Sequence, residues 1–327
     1  MRVLFTAGSG GPRLYPMVPL AWACRAAGHE VRLATTPPYP QTMVDDLIGY
    51  AARWPADLLV YDAVADAGAV AATVLGIPGV RYLCGVSAFT RIGPLPEYRA
   101  LFARFGAEPE PPVSYLDSTP PGMRLVELEP RIDLRYVPYH DAGREPAELH
   151  ALRAPRDRPR ACVTWGRDEP CRAAVCRLAE SGVDVLMTTT VGQLRALGDL
   201  PAGVRGLPGV PLPLLLPYCD VLVQPGGEGA TLTGAALGVP QVAVTRTPEH
   251  ELTAGQLAAT GAGVHLRYHE LRRDDRGSAI CAAVHRVLVD PSYQDSADRL
   301  RKEIEAQPSP ADVVPGLAAL AGARVGG

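Results

Sequence analysis

The residues best suited to chemistry lie in a glycine-rich segment in the second half of the sequence. A short apolar strand that ends at Gln224 runs into Gly226, Gly227 and Gly229, and a helix is predicted to begin at about Ala230. A turn of this kind directs free backbone N–H groups and the positive end of the helix dipole toward an anion. The segment therefore predicts an anion site formed by these glycines, and an ordinary tight turn between strand and helix is the alternative.

Several polar residues outside that turn are further candidates. Glu249 and His250 are predicted to lie in a loop after a strand, where they either contact a ligand or are solvated. Glu228 stands inside the glycine segment, and its negative charge would repel a bound anion. Glu228 therefore either points to water or indicates that the ligand is not a phosphate. No Gly-x-Ser-x-Gly elbow, Walker loop or Cys/His dyad spacing is present, so those enzyme classes have no support.

Alternating strands and helices must position these residues. The chain opens with an apolar strand, and the glycine-rich loop Gly8–Pro12, which includes Gly10 and Gly11, follows it. The remaining strands and helices alternate in two sets, separated by the charged, Pro-flanked segment Ala154–Pro159. We predict an α/β protein with two doubly wound domains, residues 1–153 and 154–305, and a tail, 306–327, that crosses back to the first domain. Ligands in such sheets bind at the carboxyl ends of the strands, so the cleft between the domains is the expected site, and Gly10 and Gly11 are candidate ligand contacts.

Strand-like segments are also predicted at Leu125–Leu128 and Leu134–Val137, inside a stretch that otherwise looks irregular. Farther along, a helix is predicted over Ala254–Thr260.

Length and composition limit the function classes. The chain has 327 residues, enough for two domains, and a formal net charge of −3, which disfavours binding to nucleic acid. It has no apolar run long enough to span a membrane, and it opens directly into a strand, so we expect neither a membrane span nor a signal peptide. Its seven cysteines are scattered without metal-ligand spacing. We expect buried, reduced thiols, no metal site and a cytoplasmic protein.

Several segments resemble the GT-B-fold, family-1 glycosyltransferases, and most closely those of bacterial macrolide and polyketide antibiotic biosynthesis. The glycine segment Leu222–Pro240 is similar to the donor motif of this family, and Pro19–Val31 to its first helix and second strand. Met43–Leu47 and Trp54–Asp62 resemble the segment that leads to its acceptor-side acid. Gly261–Val264 and Ala297–Pro315 resemble its C-terminal helices. The resemblance implies two Rossmann-like domains that face each other across a cleft.

The catalytic position departs from the family pattern. The resemblance implies a catalytic base, a His before x-x-Pro, at the position of Arg13, and a partner acid at Asp62. A guanidinium stays protonated and cannot take a proton from an acceptor. An Arg13–Asp62 ion pair is therefore expected. Asp62 as a base, and Arg13 as a clamp for an anion or oxyanion, stay open as alternatives.

The donor side departs from the pattern at five further places. The paired His before the glycines is Gln224-Pro225 here, and the helix-capping Thr after the third glycine is Ala230, followed by Thr231. A Gly-Thr that touches the diphosphate reads Gly166-Arg167, in which Arg167 could clamp a phosphate. The Trp that stacks on the nucleobase is Gly209, and the Asp-Gln pair that binds sugar hydroxyls is Glu249-His250. Ordinary binding of a nucleotide sugar is therefore doubtful.

The acceptor side is shortened. The family carries a strand and several helical segments between the counterparts of Thr35–Tyr39 and Gln41–Met43, whereas this chain passes directly from one to the other. The missing residues would line the acceptor pocket. The resemblance therefore implies a wider pocket mouth or one that other loops refill.

The leading hypothesis is a glycosyltransferase homologue of natural-product biosynthesis that acts on a polyketide-type intermediate without a nucleotide sugar or any cofactor. Its candidate catalytic residues are Asp62, Arg13 and His250. Its candidate ligand contacts are Gly10, Gly11, Gly166, Arg167, Gly226, Gly227, Gly229, Thr231 and Glu249. The alternatives are a divergent but active transferase that uses a dTDP or UDP donor, and a non-catalytic protein that binds a partner or shields an intermediate. The expected partner is a small biosynthetic molecule, and a homodimer or an auxiliary biosynthetic protein stays open.

Overall fold

A computed structural model describes residues 1–8, 11–35, 40–63, 66–86, 96–140, 149, 152–154, 156–165, 172–272 and 274–322. The strands form two separate six-stranded sheets, both entirely parallel. Each sheet lies in its own compact unit. Unit 1 comprises residues 1–119, 124–139 and 306–327, and unit 2 comprises residues 120–123 and 140–305.

The sheet of unit 1 has the order β2-β1-β3-β4-β5-β6. Its strands are β1 (Arg2–Ala7), β2 (Glu30–Thr35), β3 (Leu58–Asp62), β4 (Gly79–Leu83), β5 (Ser114–Asp117) and β6 (Arg131–Asp133). The helices among them are α1 (Gly11–Leu14), α2 (Val18–Ala26), α3 (Pro40–Arg53), α4 (Asp66–Leu75) and α5 (Pro96–Arg104). Alternate side chains of β1 enter opposite cores: Val3 and Phe5 pack in one, and Leu4 in the other. A parallel sheet covered on both faces explains the continuous apolar strands of the sequence.

The sheet of unit 2 has the order β12-β11-β10-β7-β8-β9. Its strands are β7 (Arg160–Thr164), β8 (Asp184–Thr189), β9 (Val204–Pro208), β10 (Val221–Gln224), β11 (Gln241–Thr245) and β12 (Gly263–Arg267). Its helices are α6 (Arg172–Glu180), α7 (Val191–Leu197), α8 (Leu212–Leu215), α9 (Glu228–Ala236), α10 (Pro248–Ala259), α11 (Arg276–Val289) and α12 (Pro291–Ala306). Because the strands are parallel, their ends meet at one edge of the sheet. That carboxyl edge holds the glycine turn after β10.

A final helix, α13 (Pro310–Gly322), belongs to unit 1. Val313, Val314 and Leu317 are at most 4% exposed and pack in the same core as Val3 and Phe5. The chain therefore begins and ends in unit 1. Residues 140–153 already belong to unit 2, which differs from the predicted domain boundary after residue 153.

Three predictions about single elements are wrong. Leu125–Leu128 forms no strand, and Leu125 and Val126 are 38% and 47% exposed, so this apolar run is not buried in a sheet. The strand predicted at Leu134–Val137 lies earlier, as β6, where Ile132 pairs with Leu116. The segment after Gly261 is the strand β12 rather than part of a helix, because Gly263 lies directly beside Gln241 of β11.

Within the described ranges, no helix is long and apolar enough to cross a membrane.

Candidate functional site

Arg13 and Asp62 meet at the carboxyl edge of the first sheet. Asp62 is the last residue of β3, and Arg13 lies in the short helix α1 that follows β1. Arg13 Nη1 lies 3.5 Å from Asp62 Oδ2, with the two side chains 43% and 13% exposed. A Cβ atom at Gly8 would lie 3.1 Å from Arg13 Cδ, so the bare glycine leaves room for the arginine side chain. The expected ion pair is confirmed.

This geometry limits what the pair can do chemically. A guanidinium donates hydrogen bonds and carries a fixed positive charge, but it accepts no proton. It lies against the Asp62 carboxylate as an ion pair. The half-exposed Arg13 guanidinium can still donate hydrogen bonds to a polar group. The catalytic roles of Arg13 and Asp62 stay predictions.

The glycine turn of unit 2 contains two glycines, Gly226 and Gly227, with different backbone conformations. Gly226 has a φ of +92°, which favours glycine. A Cβ atom there would lie 2.7 Å from Thr245 Cγ2 and 2.9 Å from the His250 carbonyl oxygen. Gly227 is extended, with φ −68° and ψ 142°, and is the N-cap of α9. The helix therefore begins at Glu228, two residues before the predicted start at Ala230, and Gly229 lies in its first turn.

A buried amide network holds this turn in place. The fully buried Gln224 accepts a hydrogen bond from the Gly226 backbone N–H at 2.5 Å and donates to Thr231 Oγ1 at 3.1 Å. Gln224 also donates to Gln241 Oε1 at 3.2 Å, and Gln241 donates to the Thr231 carbonyl at 2.9 Å. Thr231 in turn donates to the Gly227 carbonyl. The network ties the end of β10 to the first turn of α9.

The candidate ligand contact Thr231 and the neighbouring Gln224 therefore lie beneath the turn. Thr231 is 0% exposed, and its hydroxyl is used within the network. This arrangement favours a positioning role for Thr231, and direct contact with a ligand stays a prediction. Gln224, which replaces a His of the family pattern, likewise points inward rather than toward the edge of the sheet.

His250 reaches the same turn from α10. Thr247 accepts a hydrogen bond from the His250 backbone N–H and is the N-cap of α10, and Pro248 stands at its first position. Glu249 and His250 therefore lie in a helical turn rather than in the predicted loop, because Thr and Pro together favour a helix start. His250 Nε2 lies 3.8 Å from the Cβ position of Gly227. Its Nδ1 is buried and has no hydrogen-bond partner within the described part of the chain.

Two carboxylates stand in the first turns of these helices. Glu228 begins α9, and the exposed Glu249 lies in the first turn of α10. An acidic side chain there interacts favourably with the helix dipole and competes with a bound anion for it. Glu249 thus stays a candidate for binding a neutral or cationic group.

Two cations at this edge were missed by the sequence predictions. The Arg246 and Arg276 guanidiniums each lie 4.1 Å from the centroid of the Tyr268 ring. Arg276 Nε is buried without a hydrogen-bond partner among the described residues. Arg246 directly follows β11, so its place after a buried strand is a signal that could have identified it. The two guanidiniums could hold an anion at the carboxyl edge.

Gly209 stands where the family resemblance implies a stacking ring, and its backbone conformation favours glycine. Gly209 follows β9 and has a φ of +74°. An L-residue there would be strained, so this backbone favours glycine over an aromatic residue.

Other expected contacts lie partly outside the described residues. Gly10, Gly166 and Arg167 fall there, and Gly11 is described only as the first residue of α1. Among the described residues, no group of three or more His, Cys, Asp or Glu side chains could hold a metal ion. Burial raises the pKa of the Cys24 thiol to about 11, which makes it unreactive.

Family comparison covers most of the chain. Residues 34–166 match the family described as erythromycin biosynthesis protein CIII-like, N-terminal domain, and residues 173–320 match its C-terminal domain. The aclacinomycin-T 2-deoxy-L-fucose transferase of Streptomyces galilaeus is 30% identical over 426 residues, with 96% of this chain and 95% of that protein covered. That alignment is longer than the 327 residues of this chain, so part of the relative has no counterpart here.

Solved structures agree with this family. The glycosyltransferase VinC in complex with dTDP has a TM-score of 0.84 and 27% identity, with 98% of this chain and 99% of that chain covered. The spinosyn rhamnosyltransferase SpnG complexed with thymidine diphosphate has a TM-score of 0.86 and 26% identity, with 97% and 100% covered. The chain therefore belongs to the erythromycin biosynthesis CIII-like family, the GT-B-fold, family-1 glycosyltransferases of antibiotic biosynthesis.

Proposed function

We propose that this family member binds a polyketide-type biosynthetic intermediate and does not transfer sugar from a nucleotide donor. The observation that carries the proposal is the Arg13–Asp62 ion pair. Sugar transfer to a hydroxyl needs a group that takes the acceptor proton, and a guanidinium cannot do so. The carboxylate that could replace it is engaged with that guanidinium.

The donor side supports the same proposal. The family resemblance implies a stacking ring and phosphate contacts where this chain has Gly209, Gln224 and Pro225. Stacking of a base on an aromatic ring contributes roughly 1–3 kcal/mol, and each charge-assisted phosphate contact roughly 1.5–3 kcal/mol. Loss of the ring and two contacts would weaken nucleotide binding by several kcal/mol, about three decades in Kd. Gln224 points inward and Gly209 has no side chain, so neither residue replaces the implied contacts.

An aromatic surface in unit 1 supports an apolar ligand. The Tyr139 ring contacts Tyr15 and Trp22 edge-on, with centroids 5.5 and 5.3 Å apart. Trp22 is 58% exposed. The exposed Trp22 and the half-buried Tyr15 and Tyr139 together present a flat apolar area that a polyketide ring system can cover.

The test combines binding and turnover. The full chain is titrated with a panel of polyketide aglycones while tryptophan emission is followed, and the same mixtures with dTDP- and UDP-sugars are analysed by mass spectrometry. Trp54 and Trp165 are 8% and 3% exposed, so Trp22 is the tryptophan that reports on surface binding. We expect a saturable emission change that Trp22→Phe removes, and no glycosylated product. A sugar-bearing product would contradict the proposal.

A divergent but active transferase is the second candidate. It is supported by the retained Gly226–Gly227 turn, by the His250 imidazole beside it and by Arg246 and Arg276 at the same edge. The relatives are sugar transferases by name, and two of the solved structures contain thymidine diphosphate. A homodimer or an auxiliary biosynthetic protein would serve as its activating partner. On this account Asp62→Asn abolishes transfer, and added dTDP raises Tm.

A further inference from the structure

A small cavity opens at the amino-terminal edge of the second sheet, at the opposite ends of the strands from the glycine turn. Its volume is about 80 Å³, and it is lined by Leu152, Arg160, Asp184, Leu186, Gly203 and Arg205. Nothing in the resemblance to glycosyltransferases assigns a role to this edge. The cavity is of interest because two of the lining residues are arginines.

Strand register explains why these polar side chains converge. Arg160, which begins β7, pairs with Asp184, which begins β8. Two residues farther along β8, Leu186 pairs with Arg205 of the next strand, β9. Residues paired across parallel strands, and residues two apart on one strand, point to the same face of the sheet. The two guanidiniums and the carboxylate therefore share one face.

Arg160 is buried near the carboxylates of Asp184 and Asp220, but its guanidinium donates to backbone carbonyls instead. It is only 7% exposed, and its side chain donates from Nη1 to the carbonyls of Leu152 at 3.4 Å and Tyr218 at 3.2 Å. Both bonds are long, and no ion pair to the Arg160 side chain is found among the described residues. Burial lowers the pKa of Arg160, and nearby Arg156 adds to this effect. Since a buried cation is costly without a counter-charge, this guanidinium favours an anion beside it.

Charge and size define what would fit. Arg160 and Arg205 outweigh Asp184 by one positive charge. The Asp220 carboxylate, which accepts a hydrogen bond from the Arg160 backbone N–H at 2.8 Å, is balanced by the Arg156 side chain at 2.5 and 2.7 Å. Guanidiniums recognise the oxygens of oxyanions through paired N–H groups. A water molecule occupies about 30 Å³, so the cavity has room for two or three waters or for one oxyanion of about five heavy atoms.

We propose that this cavity is a binding site for a small tetrahedral oxyanion such as inorganic phosphate, held by Arg160 and Arg205. The exposed Gly203 and Arg205 give the anion access from solvent. The Asp184 carboxylate repels the anion and so lowers the affinity of the site. The proposal goes beyond the proposed function and does not depend on it, because the site lies at the other edge of the sheet.

The test is calorimetric titration of the full chain with inorganic phosphate at constant ionic strength. Arg205→Met should weaken binding about threefold or more, and Asp184→Asn should tighten it by a similar factor, since each changes one unit charge beside the anion. Arg195→Met removes an equally exposed arginine of the same unit and should leave the affinity unchanged. Arg160→Met, checked for folding by circular dichroism, should abolish binding.

The tightening by Asp184→Asn is decisive, because a purely structural carboxylate would not oppose phosphate. If phosphate shows no saturable binding, or binds equally to the wild type, Arg205→Met and Asp184→Asn, the proposal is wrong. The second of these results would place the phosphate elsewhere, for example at the glycine turn. Neither result bears on sugar transfer, so failure of this proposal is distinguishable from failure of the proposed function.

Discussion

Arg13 determines the chemistry of the first loop, because its guanidinium keeps its proton at every physiological pH. The family resemblance places a partner acid at Asp62, and with an arginine at position 13 it predicted an ion pair that the structure contains. The sequence could not predict that the side chains of Gln224 and Thr231 point inward. Whether a polar side chain turns inward depends on which partners the surrounding fold offers, and here Gln241 lies on the neighbouring strand β11.

Arg13 should contribute little to the stability of the fold. The pair is 3.5 Å long and the arginine side chain is 43% exposed, and exposed ion pairs stabilise by about 0.2–1 kcal/mol. Arg13→Ala should therefore lower the free energy of unfolding by no more than about 1 kcal/mol in urea denaturation. The exposed Arg25, which makes no ion pair among the described residues, gives the matched control Arg25→Ala. A loss several times larger would show that the pair supports the fold rather than ligand binding.

At the scale of elements, the start of each helix decides which side chains reach the carboxyl edge. Apolar periodicity predicted that two helices of the second domain begin near Ala230 and Ala254. In the structure, capping residues start α9 and α10 earlier, closer to the carboxyl edge of the sheet. Gly227 is the N-cap of α9, and Thr247 is the N-cap of α10. The capping residues carry no apolar signal, which is why periodicity missed them. The Thr-Pro pair was nevertheless visible in the sequence and would have brought Glu249 and His250 into a helix.

The strands that sequence patterning missed are short or lie at or near a sheet edge. β9 contains Arg205, Gly206 and Pro208 and forms the edge of its sheet, with side chains that are partly or fully exposed. β12 forms the other edge and includes His265 and Arg267. Edge strands bury less apolar surface, so their sequences lack the continuous apolar run that identified the central strands β1, β3 and β10.

The amide network under the glycine turn should be strongly cooperative. Gln224→Met removes one partner from Gly226, Thr231 and Gln241 at once. Because buried groups left unsatisfied cost about 1–3 kcal/mol each, we expect a loss of about 2–4 kcal/mol. The Gln224→Met, Gln241→Met double variant should lose less than the sum of the single variants, with a coupling of about 0.5–3 kcal/mol.

The control for this cycle is Gln256→Met, since the half-buried Gln256 has no side-chain hydrogen bond among the described residues. Chemical denaturation of all four variants measures the coupling. Strict additivity would mean that the network does not hold the turn as a unit.

At the scale of the whole molecule, the two sheets, their parallel strands and the family were predictable from the sequence. The return of the chain to unit 1 rests on α13, whose Leu317 is completely buried. Leu317→Ala should destabilise the protein by about 2–5 kcal/mol, as large-to-small changes in a packed core do. Leu320→Ala, at a partly buried position of the same helix, should lower the stability clearly less. Thermal unfolding of both variants and the wild type measures the two losses. Equal effects would mean that α13 is not packed as described.

We propose that this glycosyltransferase family member has lost ordinary binding of its nucleotide-sugar donor. Calorimetric titration of the full chain with dTDP, and then UDP, tests this claim most directly, because it needs no knowledge of the acceptor. With the stacking ring and the phosphate contacts absent, we predict a Kd in the millimolar range or weaker, about three decades above a donor site that keeps them. A micromolar Kd for either nucleotide would contradict the account and favour an active transferase.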